Sequence, residues 1–427
     1  MKSGRGSVKV SLLTLGCKVN QAETARMEGT LKSNGFQVVG LHESPDLSII
    51  NTCAVTAKSD YQSRQLIRRA QRAGSRVVVT GCYSELNRDP VKAMPGVEEV
   101  VSNKDKCKFI EGLVAGGGRA SCDIRPAEGL VGAYRTRAFI KVQDGCDSSC
   151  SYCIIPLARG GSRSRPIDEA VGEVKEAAGA GCKETVLTGI HLGTYGHDLS
   201  PACTLSDLIE AALGLTEVNR LRLSSIEVTE IDERLLSFFE DRRLCRHLHI
   251  PLQSGDDGIL RLMGRPYDSG YYSERIRHIS DRFPDISIGA DVIAGFPGEG
   301  EKEFRATFKL IETLPFSYIH VFPYSRREGT RASGMSGEPT PEEKRRRAGA
   351  LRGLSVRKRQ AYQQRFLGQT LEVLIEDGFN DGSALGTAGN YLKVRVNGCD
   401  RLRGNIVPVR IAGEAEGGLF GVPIDCS

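Results

Sequence analysis

The residues best placed to do chemistry are cysteines. There are 13 of them in 427 residues. In a chain of this size with no convincing secretion signal, that number points to metal binding or catalysis rather than to a disulfide framework. The densest group is CDSSCSYC, which sets Cys146, Cys150 and Cys153 at C-x3-C-x2-C spacing. Thiolates are soft ligands, and three on one short loop suit either zinc or an iron–sulfur cluster. A zinc knuckle would have to borrow a fourth ligand from elsewhere. Three thiolates on a four-iron cluster instead leave one iron open to a substrate.

A second set is spread through the first part of the chain. Cys17 closes LLTLGC, Cys53 closes SIINTC and Cys82 closes VVVTGC. Each follows an apolar, β-rich run. In an open parallel sheet, ligands bind at the carboxyl ends of strands. Three cysteines at such ends can meet in space although far apart in sequence. Gly16 and Gly81 precede two of them and give the backbone room to approach a bulky group. The plainer alternative is three buried thiols acting as small hydrophobes.

The elements that must carry these residues fall into three blocks. The first alternates strands (residues 8–15, 47–51 and 76–80) with helices (21–33 and 61–72), the pattern of a parallel sheet. The second repeats β-rich runs at 138–142, 184–188, 220–224, 248–252, 286–293 and 318–322, separated by helical segments. Six β/α units are too few for the usual closed eight-unit barrel, so an open, partial barrel is expected. CDSSCSYC directly follows its first strand, on the side where such folds place active sites. The third block has short strands at 370–375, 391–396, 406–411 and 419–423 with glycine-rich turns, which suggests a small antiparallel barrel. The expected domains are 7–120, 132–360 and 364–427. Together they predict an α/β chain: a parallel-sheet (Rossmann/flavodoxin-like) domain, a partial (β/α)6 barrel and an OB-like barrel.

These motifs carry a resemblance. CDSSCSYC, with Tyr152 before its last cysteine, is similar to the motif of the radical S-adenosylmethionine (SAM) superfamily. Combined with TLGCKVNQAET, NTCAVT and VTGCY, it resembles the methylthiotransferase family over nearly the whole chain, and the last block looks like a TRAM domain. The resemblance implies two [4Fe-4S] clusters. Cys146, Cys150 and Cys153 would hold the one that binds SAM through its open iron and yields a 5'-deoxyadenosyl radical. Cys17, Cys53 and Cys82 would hold an auxiliary cluster that supplies or carries sulfur. VLTGIHLGTYG and HVFPYSRREGT look most like the branch acting on N6-threonylcarbamoyladenosine at position 37 of tRNA. The alternatives are a methylthiotransferase for N6-isopentenyladenosine or a ribosomal protein, and, in another class, a non-catalytic metal-bearing RNA-binding protein.

Polar residues after successive barrel strands are expected to contact SAM: Ser225, Glu227, Gln253, and Asp291 and Gly295 in DVIAGFPGE. His191 and Arg159 are expected near the substrate. The net charge of +5 is mild, but basic residues cluster at Arg64, Arg68, Arg69 and Arg72, at Arg159, Arg163 and Arg165, and from Lys344 to Arg365. Such clusters suit RNA phosphates, although any one alone is equally a solvated helix face. The expected partners are tRNA through its anticodon stem-loop and an electron donor such as flavodoxin or ferredoxin. No run is long and apolar enough to span a membrane, and a cytoplasmic location is expected. The remaining cysteines show no ligand spacing.

Overall fold

The structure is a computed structural model that describes residues 8–116, 136–379, 382–398, 400–415 and 417–424. The glycine run at 116–118, the boundary expected between 120 and 132, and Cys122, Cys399 and Cys426 fall wholly or partly outside those residues.

The first block forms one parallel five-stranded sheet. Its strands lie side by side in the order Gln37–Val38, Lys9–Thr14, Leu47–Thr52, Arg76–Gly81, Val97–Val100. Leu47–Thr52 is the central strand and is buried along its whole length, as a strand covered on both faces must be. Ile50, Ile67, Val77 and Val79 pack on one face, and Val10, Met27, Leu31 and Ile49 on the other. The helix Ala57–Arg72 starts where the Thr56 side chain accepts from Ser59 N, satisfying a backbone donor that the first turn would otherwise leave open. The helix Lys18–Ser33 begins directly after Cys17.

Six parallel strands form the second block. Arg137–Lys141, Glu184–Thr188 and Arg220–Leu223 make one half, and His247–His249, Ser287–Ala294 and Tyr318–Pro323 the other. Isolated bridges such as Ser225–His249 join the halves. The first and sixth strands do not pair, so the barrel is open as expected. Strand side chains alternate between faces. Ile140, Leu187, Leu221, Leu223, Leu248, Ile288, Ala290, Val292 and Ile319 face the helices in one large core. Their alternates face the lumen, and these are mostly polar: Arg137, Glu184, Arg222, His247, His249, Asp291 and His320.

The last block is a closed five-stranded barrel around Val373, Ile375, Val394, Val396, Val407 and Val409. One of its strands, Ser383–Ala388, was not expected from the sequence. Its residues SALGTA are small and weakly β-forming. A Cβ at Gly386 would lie 2.4 Å from Val373 Cγ1 and 2.6 Å from the Leu374 carbonyl oxygen, so tight packing rather than propensity makes it a strand.

This barrel closes the amino end of the lumen. Arg222 forms a bidentate pair with Glu184 at 2.7 and 2.9 Å and also donates to the carbonyls of Ala388 and Gly389. Arg220 reaches the carbonyls of Thr387 and Glu372, and Arg137 pairs with Glu376 at 2.6 Å. Tyr391 stacks on His247 with ring centroids 4.2 Å apart.

Candidate active site

The three cysteines of the first block stand at strand ends, and two glycines bring them together. Gly16 has φ +101°, and a Cβ there would lie 2.8 Å from Cys53 Cβ and 2.9 Å from its Sγ. Gly81 has φ +100°, and a Cβ there would lie 2.4 Å from the Thr52 backbone. Only glycine tolerates both the left-handed conformation and the contact. Cys17 is exposed, whereas Cys53 and Cys82 are buried. Burial pushes the Cys53 and Cys82 thiols up, and the Arg159 guanidinium partly offsets this at Cys82.

Arg159 lies just beyond CDSSCSYC, in the helix Ile155–Arg159. Its side chain is fully buried. It donates to Cys82 Sγ at 3.3 Å, to Glu23 at 2.9 Å and to Asp144 at 2.8 Å. Within the protein its donors are met by Cys82, Glu23, Asp144 and Asn20. What it does is join the two cysteine sets. Lys106 and Lys141 also reach Glu23. With Arg163 3.9 Å from Asp144, four cations meet the two carboxylates Glu23 and Asp144, leaving positive charge in excess beside Cys82.

At CDSSCSYC, the Cys146 sulfur lies 3.4 Å from His191 Nδ1 and accepts from Ser148 N at 3.4 Å. Cys150 Sγ accepts from Arg265 Nη1 at 3.2 Å. Burial raises the Cys146 pKa, but the His191 and Ser148 contacts outweigh it and the net shift is downward. Cys153 has no such charged donor, and burial pushes it up to about 12. His191 also lies 2.5 Å from Glu230, close enough for an ion pair although the N–H is not aligned along it. Its backbone N donates to Gln143 Oε1 at 2.9 Å.

The residues expected near SAM ring the carboxyl ends of the strands. Glu227 is paired with Arg265. Gln253 has φ +65°, and its N donates to the Asp291 carbonyl at 2.8 Å. Gly295 N donates to Glu299 Oε1 at 2.8 Å. Ser225 is exposed. Asp291 lies lower in the lumen, where its carboxylate meets His249 and His320. Arg265, Glu230 and Gln143 were not anticipated. Gln143 stands three residues before Cys146 but carries no motif signal, and Arg265 and Glu230 become neighbours of the cysteines only through the barrel.

Sulfurs around one tetrahedral zinc stand about 3.8 Å apart, given Zn–S bonds of about 2.3 Å. Among the described residues, neither cysteine set brings three ligand atoms within 4.8 Å of one another. The cationic donors at Cys82 and Cys150 and the excess positive charge suit anionic sulfur.

Fold and site together define a radical SAM enzyme with a second three-cysteine centre. Residues 140–311 match the Radical SAM superfamily, and residues 9–102 match the family described as "Uncharacterized protein family UPF0004". The chain is 36% identical to a threonylcarbamoyladenosine tRNA methylthiotransferase of Bacillus subtilis, covering 94% of this chain and 93% of that one. It is 34% identical to the Thermotoga maritima protein of the same name, covering 97% of each. A tRNA-2-methylthio-N(6)-dimethylallyladenosine synthase of Chloroflexus aurantiacus is 33% identical, covering 96% and 90%. A radical SAM methyltransferase from Kitasatospora setae shares the fold with TM-score 0.55, 18% identity and 77% of each chain covered.

The chain belongs to the family of threonylcarbamoyladenosine tRNA methylthiotransferases. As a radical SAM methylthiotransferase, it uses S-adenosylmethionine and two [4Fe-4S] clusters. No described helix is long and apolar enough to cross a membrane.

Proposed function

We propose that this chain converts N6-threonylcarbamoyladenosine at position 37 of tRNA to its 2-methylthio derivative. In this reading, Cys146, Cys150 and Cys153 hold the SAM-binding cluster, and Cys17, Cys53 and Cys82 hold the auxiliary one. When bound, the two clusters and SAM would supply a carbon-centred radical and a sulfur for transfer.

The chain's own residues position these parts. Arg159, bonded to Cys82 and anchored by Glu23 and Asp144, fixes the distance between the sets. His191 and Ser148 fix Cys146, and Arg265 fixes Cys150. Ser225, Glu227, Gln253, Asp291 and Gly295, in or after successive barrel strands, would contact SAM. The closed amino end of the lumen leaves the carboxyl rim as the entry for a base. The observation that supports the reading is the hydrogen bond from Arg159, six residues after Cys153, to Cys82 Sγ, which links the segment after CDSSCSYC to the first block.

The test is the nucleoside content of tRNA from cells with and without the gene, read by mass spectrometry. Loss of 2-methylthio-N6-threonylcarbamoyladenosine, with its precursor accumulating, is the expected result. Loss of only the isopentenyl analogue would move the chain to the other tRNA branch. Unchanged tRNA in cells that express the gene would turn attention to ribosomal protein. The anticodon stem-loop as docking site and flavodoxin or ferredoxin as reductant belong to the same proposal.

A further inference from the structure

Halfway down the lumen, three potential ligands converge from three adjacent strands. His249 Nε2 lies 2.9 Å from Asp291 Oδ1, and His320 Nδ1 lies 3.4 Å from the same oxygen. All three ligand atoms fall within 4.8 Å of one another, and no other set of three among the described residues does so. Ligands on one tetrahedral zinc stand about 3.3 Å apart at bond lengths of about 2.0 Å, so these separations need adjustments of only a few tenths of an ångström. Strand register explains the convergence, because Asp291 pairs with His320, and His249 pairs with Gly289, one pleat away on the same face.

The surroundings resemble the outer shell of a metal site. His249 Nδ1 lies 3.1 Å from Tyr318 Oη, which lies 2.8 Å from His247 Nε2. A partner on the far ring nitrogen is what fixes the orientation of a ligating histidine. The opposite side is open: Asp291 and His320 side chains are 26% and 52% exposed. A plain hydrogen-bonded chain would also satisfy these groups. It does not account for two imidazoles aimed at one carboxylate oxygen with that side left open.

We propose that His249, Asp291 and His320 form a site for a divalent first-row cation, separate from both cysteine sets, with free coordination positions facing the lumen. Two imidazoles and one carboxylate favour zinc, iron(II) or manganese over magnesium or calcium. Lys18 adds buried positive charge to the lumen beside Arg222 and Arg137, whose own charges are met by Glu184 and Glu376. The cation therefore binds best together with an anion. On the substrate reading above, on which this second step rests, the threonine carboxylate of the modified base is that anion.

Equilibrium dialysis of the cluster-loaded protein against Zn2+, with zinc and iron both counted, tests the site. One zinc beyond any held by cysteine is expected, with affinity lower by about 100-fold in His320→Ala and in Asp291→Asn. His320 is half-exposed, so its loss leaves the fold intact, and retained iron content confirms this. Zinc that is absent, or that binds equally in His320→Ala, overturns the site. The same dialysis with added anticodon stem-loop tests the anchor. Linkage requires a stem-loop bearing N6-threonylcarbamoyladenosine to tighten zinc binding, and one bearing adenosine not to. Equal effects of the two RNAs overturn the anchoring role while leaving the site. Failure of the substrate reading shows separately, in the cellular tRNA nucleosides.

Discussion

Cys146 and Cys82 are equally cysteines, yet their settings differ. Cys146 is held by a histidine and a backbone N–H, Cys82 by a buried arginine. The two sets should separate in experiment. Cys146→Ala is expected to abolish both SAM cleavage and methylthiolation. Cys82→Ala is expected to keep SAM cleavage, lose methylthiolation and retain about half the iron, as one of two clusters is lost. 5'-Deoxyadenosine release and iron content read the two outcomes. If Cys82→Ala stopped SAM cleavage while leaving iron intact, the assignment of the sets would fail. His191 was anticipated near the substrate, and the structure puts it on Cys146. Its position was legible from the TGIH segment at a strand end, whereas its partner Glu230, in another turn, was not.

The helix Lys18–Ser33 and the segment after CDSSCSYC meet through Glu23 and Arg159. Burial alone would raise the Glu23 pKa, but Lys106, Arg159 and Lys141 hold it well below the usual carboxylate range. Asp144 is also held low, its burial outweighed by Arg159 and Lys141. Carboxylates depressed in the folded state contribute stability that is complete above their unfolded pKa of about 4 and is lost as pH falls through the folded value. The urea midpoint should therefore drop below about pH 5, and Glu23→Gln should flatten that dependence. Arg159→Met leaves two buried carboxylates short of a partner and is expected to cost about 3–5 kcal/mol, read as a lower urea midpoint. An unshifted midpoint would show that the network does not hold these elements together.

For the whole molecule, the basic stretch from Lys344 to Arg365 divides by burial. Lys344 is paired with Glu338, and Arg347 is buried against Glu299. Arg346 is paired with Glu301, and Lys358 and Arg365 hold backbone carbonyls. Arg345, Arg357 and Arg359 are exposed on the helix Pro341–Gln364 that leads into the small barrel. If tRNA lies along this face, Arg357→Ala should weaken binding at all sequences and lower the slope of log affinity against log salt by about 1. Arg347→Ala should leave the slope unchanged. Equal slopes for Arg357→Ala and the parent chain would place the RNA elsewhere.

The sequence by itself determined the three-part architecture and singled out the two cysteine sets. Cysteine spacing, glycines before strand-end cysteines and the alternation of apolar runs are local features that survive in one dimension. The strand Ser383–Ala388 escaped because its small residues carry no β signal. Only the tertiary structure decided which charges remain available. Arg159 reads as one more basic residue after a motif, but its burial makes it a link between two centres. Asp291, His249 and His320 are distant in sequence and meet only because parallel register sets them at one level. Charges and ligands act through distances and desolvation, and the packing of strands and domains fixes both.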